Sequence, residues 1–305
     1  MLEAQKEWER IAQSTAGWGF SPGTFGELVQ GEIGGIPFLI TLPIAWGTRA
    51  TFVSAPGYPL EVWPSHRRKA RRAVEMLLTA WEKPIEGVLM IQSTLPVGKG
   101  MASSSADIVA ACRAVAAHFG RYLPPARIAE ISAAIEPTDG IMYDGVVAFD
   151  PIRGKLLERL GAPPAMVIVG VLGHGRINTE DHHRRRLDYE PEQERRIQEA
   201  LDYARAGIKT RDAKLLGQAG RISAEVARER ESDPSLDELL QIADDEACGV
   251  IIAHSGTVRG VLVSSTVSRV TLRRLEQRLW RLDTGPVYQI GVANPRVGTL
   301  SGRLR

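Results

Sequence analysis

Apolar residues recur with helical spacing over 66–82, where Ala70, Val74, Leu77, Leu78 and Trp81 share one side. The same spacing predicts helices over 103–119, near 191–206, 211–230 and 235–246, and over 268–281. Residues 2–14 read as a short amphipathic helix. Pro124 and Pro125 open another helix that runs to about Glu136, because the first helical turn needs no amide donor. Gly17 to about Val53 is rich in Gly, Thr, Val and Ile, with turn signals at SPG and IGG, and reads as several strands. Further strands are expected at VLMIQSTL (88–95), GVVAFD (145–150), MVIVGVL (166–172), GVIIAHS, GVLVSS and VYQIGVA. Strands and helices mix without regular βαβα alternation. That predicts an α+β chain in two packed halves dividing near 151–165. A Rossmann sheet would need GxGxxG straight after an early strand, and none is there.

At 305 residues the chain suits one large domain or two ordinary ones. A formal net charge of +2 gives no general electrostatic case for nucleic acid or a membrane surface. The basic clusters HRRKARR (66–72) and HHRRRL (182–187) are local; each could touch a phosphate, and a solvated helix face is the favoured reading. Cys112 and Cys248 form no CxxC and read as buried free thiols of a reducing cytosol. The N-terminus lacks the apolar stretch of a secretory signal, and the longest apolar runs are too short to span a bilayer. The expected location is cytoplasmic.

The stretch PVGKGMASSSAD, residues 96–107, carries the first candidate chemistry. Glycines let a backbone approach a ligand and take positive φ, and free amides at a helix start converge on an anion. A hydroxyl there can meet a cation that bridges phosphates. The stretch is not a Walker A loop, because Gly98-Lys99 is followed by Gly100 and position 93 is Ser. Spacing alone leaves two readings open: a phosphate loop, or a turn in which Ser103 caps the helix, worth about 1 kcal/mol.

Three further segments bear on that choice: PGTFGELVQG (22–31), EPTDG (136–140) and GVIIAHSGTVRGVL (249–262). The loop at 96–105 resembles the phosphate loop of the GHMP kinase superfamily, the segment at 22–31 its first motif and the segment at 249–262 its third. Within that superfamily the four segments are most similar to the L-threonine kinases of cobalamin synthesis, which make O-phospho-L-threonine from ATP and free threonine. The resemblance implies an N-terminal half like ribosomal protein S5 domain 2 (1–158) and a ferredoxin-like C-terminal half (159–305). It also implies ATP, Mg²⁺ and a small-molecule acceptor bound between the halves. Ala102 stands where these kinases commonly carry glycine, a replacement that fits the loop only where φ is not positive.

By the same resemblance, Pro96, Val97, Gly98, Lys99, Gly100, Met101, Ala102, Ser103, Ser104 and Ser105 would hold the nucleotide phosphates. Ser104 and Glu136 would ligate Mg²⁺, with Ser103 assisting and Glu130 in reserve. Asp139 would accept or orient the acceptor's hydroxyl proton, as a base or as an electrostatic and positioning group. Thr24, Glu27, His254, Ser255 and Gly256 would shape the acceptor site. Lys99 is open between pairing with a phosphate and simple exposure. Arg176, Asn178 and Thr179 lie in a polar loop that could contact substrate, and His174, His182 and His183 fit no zinc signature. The tryptophans read as core or edge residues rather than stacking platforms. Competing readings are the same chemistry on homoserine or pantoate, and a catalytically silent ligand-binding relative. Nucleic-acid binding rests only on the basic clusters and the S5-like fold.

Overall fold

A computed structural model describes residues 16–174, 189–230, 234–253, 256–283, 285–294 and 300–303. The helix expected over 2–14, the loop residues Arg176, Asn178, Thr179, His182 and His183, and the site candidates His254 and Ser255 lie outside the described residues.

Among the described residues, thirteen strands form three sheets. The first sheet holds β1 (Gly17–Thr24), β4 (Pro43–Val53), β5 (Glu61–Trp63), β6 (Val88–Ser93) and β13 (Ser301–Arg303), in the order β13-β1-β4-β6-β5. A second contains β2 (Val29–Ile33), β3 (Ile36–Ile40), β7 (Val146–Asp150) and β8 (Lys155–Gly161), in the order β2-β3-β7-β8. The third contains β9 (Met166–Leu172), β10 (Gly249–Ile252), β11 (Val258–Ser264) and β12 (Val287–Gly291), in the order β10-β11-β9-β12. All pairings are antiparallel except β5 with β6. Seven helices accompany them among the described residues: α1 (Arg68–Ala80), α2 (Ser103–Phe119), α3 (Pro125–Ala133), α4 (Pro191–Thr210), α5 (Ala213–Arg230), α6 (Pro234–Glu246) and α7 (Arg269–Leu282). This is the α+β class that the mixed hydrophobic periods predict.

Helix α2 is the centre of the N-terminal half. Nearly every residue from Ser103 to Ala116 is buried, Asp107 and Arg113 among them. It packs on β1 and β4, with α1 beside it. A helix apolar on all sides belongs in a core, so its start is a fixed point in the fold. In the C-terminal half, β9 is apolar and buried along most of its length, and its apolar residues feed both core clusters. The boundary expected at 158/159 falls inside β8, and the last strand, β13, returns to pair with β1. The Arg113 guanidinium, buried on α2, donates to the Phe20 carbonyl (2.6 Å) and the Met142 carbonyl (3.0 Å), tying the segment after EPTDG to β1.

Candidate active site

The loop 96–102 is held from two sides by backbone bonds. From the first motif, Thr24 N donates to Met101 O (3.2 Å) and Gly26 N to Gly100 O (2.9 Å). From the third, Thr257 N and Val258 N both donate to Lys99 O (3.0 and 3.2 Å). The isolated bridge between Glu27 and Ile252 joins those two motifs directly. Three segments far apart in sequence thus form one backbone framework. Gly100 is required in it: φ is +84°, and a Cβ would stand 2.4 Å from Ala253 Cβ. Gly256 is its counterpart, where a Cβ would lie 2.4 Å from Lys99 O.

The loop runs into α2 through Ala102, at φ 56° and ψ 28°. The sequence reading made alanine acceptable there only without a positive φ; the structure has one, so Ala102 carries left-handed strain of about 1 kcal/mol. Ala106 N donates to Ala102 O (2.8 Å). The amides of Ser103, Ser104 and Ser105 precede that bond, in the first turn where helical N–H groups lack intrahelical partners. Ser103 does not act as a helix cap: the cap position is Ala102, with no side-chain cap bond.

Ser103, Ser104 and Ser105 line a cavity of about 390 Å³, the size of a small-ligand site. Val97, Gly98, Gly100, Met101, Ala102, Ser103, Ser104 and Ser105 line it, as do Glu27, Glu136, Thr138 and Asp139. The loop and the EPTDG carboxylates therefore meet at one place. Asp139 Oδ2 accepts from Ser105 Oγ (3.2 Å). Burial pushes the Asp139 carboxyl up to about 6; the Ser105 bond works against this, and the nearby Glu136 charge adds to it. Glu136 is buried, and its Oε2 takes the Lys69 ammonium at 2.5 Å. Its Oε1 is buried with no hydrogen-bond partner among the described residues, as is Thr138 Oγ1. An unpaired carboxylate oxygen out of water is costly unless something arrives to pair it. With the Ser104 hydroxyl on the same cavity, these hard oxygen donors fit a magnesium-like cation that brings phosphate ligands of its own.

Other expected residues stand elsewhere. Pro96, Thr24 and Gly256 do not line the cavity; Thr24 and Gly256 act behind the loop, as its backbone support. The Lys99 ammonium is neither exposed nor turned to the cavity: it donates to the Gly173 carbonyl. Glu130 is exposed and pairs with Arg127 on the outer side of α3 (2.6 Å), away from the cavity. Cys112 is fully buried, its thiol pushed up to about 12 by burial, while Cys248 is half-buried.

The sequence reading missed the basic wall. His66, Arg67, Arg68 and Lys69, from the cluster expected on a solvated helix face, line the cavity. Arg67 pairs with Asp107 of α2 (2.7 Å), whose other oxygen accepts from Thr48 of β4 (2.8 Å). The one available signal was four basic positions, 66–69, spanning the start of a helix with no acid in its first turn.

Residues 68–147 match the family described as GHMP kinases N terminal domain. An L-threonine kinase of Salmonella typhimurium is 29% identical over 274 residues, 85% of this chain and 88% of that one. An L-threonine kinase of Citrobacter freundii is 29% identical over 284 residues, 87% and 97% of the two chains. Among solved structures, a homoserine kinase from Cytophaga hutchinsonii superposes with a TM-score of 0.68 at 16% identity, covering 96% of this chain and 98% of that one. The Methanococcus jannaschii mevalonate kinase does so with a TM-score of 0.69 at 15% identity, covering 91% and 98%. The domain match, the relatives along most of the chain and the shared fold agree: the chain carries a GHMP kinase N-terminal domain over residues 68–147 and is an ATP-dependent kinase.

Proposed function

We propose that this kinase transfers the γ-phosphoryl group of ATP to the hydroxyl of free L-threonine, giving O-phospho-L-threonine and ADP. Its place would be the synthesis of the cobalamin nucleotide-loop side chain, in the cytoplasm. Among the described residues no helix is long and apolar enough to cross a membrane. The observation that carries the reading is the meeting, on one cavity, of the loop residues 97–98 and 100–105 with Glu136 and Asp139. In it the unit 1–158 supplies the phosphate site, and the unit 159–305 backs the loop through Thr257 and Val258.

The amides of 98–105 receive the phosphates, positive ends of peptide dipoles against negative oxygens. Glu136 Oε1 and the Ser104 hydroxyl would hold Mg²⁺, which when bound neutralises charge on the phosphates. Glu27, on the cavity wall, helps shape the acceptor side. Asp139 orients the acceptor hydroxyl and takes its proton as the oxygen bonds to the γ-phosphorus and the bond to the ADP oxygen breaks. A carboxyl lifted to about 6 is still mostly ionised at neutral pH, and a better base than an ordinary aspartate. Ser105 keeps that carboxylate aimed.

Purified protein with Mg²⁺-ATP and a panel of threonine, serine, homoserine and pantoate, scored by ADP release, tests the assignment. The expected outcome is the highest kcat/KM on L-threonine. Faster turnover on homoserine or pantoate would replace the acceptor and keep the chemistry. No acceptor-dependent ADP release would leave a ligand-binding relative.

A further inference from the structure

The start of α1 breaks a local rule. His66, Arg67, Arg68 and Lys69 gather where a helix presents its positive end, and its first turn has no acidic residue. The Arg67 N-cap makes no side-chain cap bond, and its Nε is buried without a partner among the described residues. Such an arrangement is unfavourable by itself and becomes favourable when an anion stands nearby. Asp107, paired with Arg67, and Glu136, paired with Lys69, answer only part of it. Lys69 holds Oε2 alone, whereas a buried ion pair made for stability would satisfy both oxygens. Lys69 also lines the cavity with Ser103, Ser104 and Ser105, its side chain 37% exposed, so its head borders space a ligand can enter.

We propose that Lys69 is a phosphate-contacting residue of this site, its ammonium bridging the Glu136 carboxylate and the terminal phosphate of the bound nucleotide. The inference rests on the nucleotide reading above and adds a cation that the loop motif does not contain. The amides of 98–105 grip the phosphates from the start of α2, and Lys69 supplies charge from the start of α1. No bond changes at Lys69; it binds charge that the transferring group carries.

The test is binding of AMPPNP and of ADP, each with Mg²⁺, to wild type, Lys69→Met and Lys69→Arg, by calorimetry. A charge-assisted bond to phosphate corresponds to roughly a tenfold loss or more. Lys69→Met should therefore weaken AMPPNP by about tenfold or more and ADP by less than about threefold, and Lys69→Arg should recover most of the AMPPNP loss. A purely structural Lys69 would weaken both nucleotides alike, and that result overturns the proposal, as does unchanged AMPPNP affinity in Lys69→Met. Wild-type protein that binds neither nucleotide would overturn the nucleotide reading, and Lys69's role with it. Should Lys69→Met fail to fold, the AMPPNP-to-ADP ratio of Lys69→Arg decides: a changed ratio supports contact with the terminal phosphate, an unchanged one overturns it.

Discussion

Asp139 sits between two influences that set its usefulness. Burial raises its carboxyl to about 6, and the bond from Ser105 opposes the rise. A base must be ionised to accept a proton, so kcat/KM should increase with pH along an acid limb centred near 6 and level off above it. Ser105→Ala removes a bond that favours the ionised form, so its limb should move to higher pH while the plateau rate falls modestly. Asp139→Asn should abolish the limb and lower kcat by at least about 100-fold. A pH–rate profile of the three proteins checks this. A wild-type limb near 4, or no movement in Ser105→Ala, would mean that another group sets the profile. Ala102 shows the same scale from the backbone side. Its left-handed φ is legible only as a conditional in the sequence, because side-chain identity states what a residue tolerates and not what its neighbours impose.

At the scale of elements, α1, α2 and β4 are pinned by one chain of polar contacts. Arg67, the N-cap of α1, pairs with Asp107, one turn into α2, and Thr48 of β4 donates to the same carboxylate. Burial raises the Asp107 carboxyl, and the Arg67 charge restrains it. Removing one partner of a buried pair leaves the other uncompensated, at a cost of about 3–5 kcal/mol. Arg67→Met should lower unfolding stability at pH 7 by an amount near the bottom of that range, since Arg67 keeps some exposure, and Arg67→Met with Asp107→Asn should regain much of it. Urea denaturation of the two variants checks this; additive losses would show that the contacts are independent. These contacts also explain what the sequence conceals. Long elements with a strong period were readable: α2 spans the 103–119 that its Ala, Val and Ile stripe predicts. The short strands β5 and β13 were not, and β8 alternates between exposed and half-exposed positions without a core signal. The basic run at 66–72 reads as a solvated face because its partners are distant, with Asp107 and Glu136 lying 40 and 67 positions from Arg67 and Lys69. The loop 96–102 stood out because its glycines and serines are consecutive, yet that spacing alone left a phosphate loop and a capping turn both open.

For the whole molecule, the loop 96–102 is a place where the first and third motifs meet. Its carbonyls accept from Gly26 on one side and from Thr257 and Val258 on the other, and its glycines allow contact with Ala253 and Gly256. A ligand that orders this loop thereby tightens the first motif against the β10–β11 hairpin. Nucleotide binding should then stabilise the chain as one unit. Ligand at a hundredfold over its dissociation constant contributes about 2.7 kcal/mol. At roughly 2.1 cal/mol/K per residue of unfolding entropy, a chain of 305 residues should melt about 4 °C higher with Mg²⁺-AMPPNP, in a single transition. Replacing Mg²⁺ by EDTA should remove a large part of the shift, because Glu136 and the phosphates would then face each other without a cation between them. Differential scanning calorimetry checks this. Two separate transitions, of which only one moves with nucleotide, would show that the backbone framework around Gly100 does not couple the halves, and that the phosphate site belongs to the N-terminal unit alone.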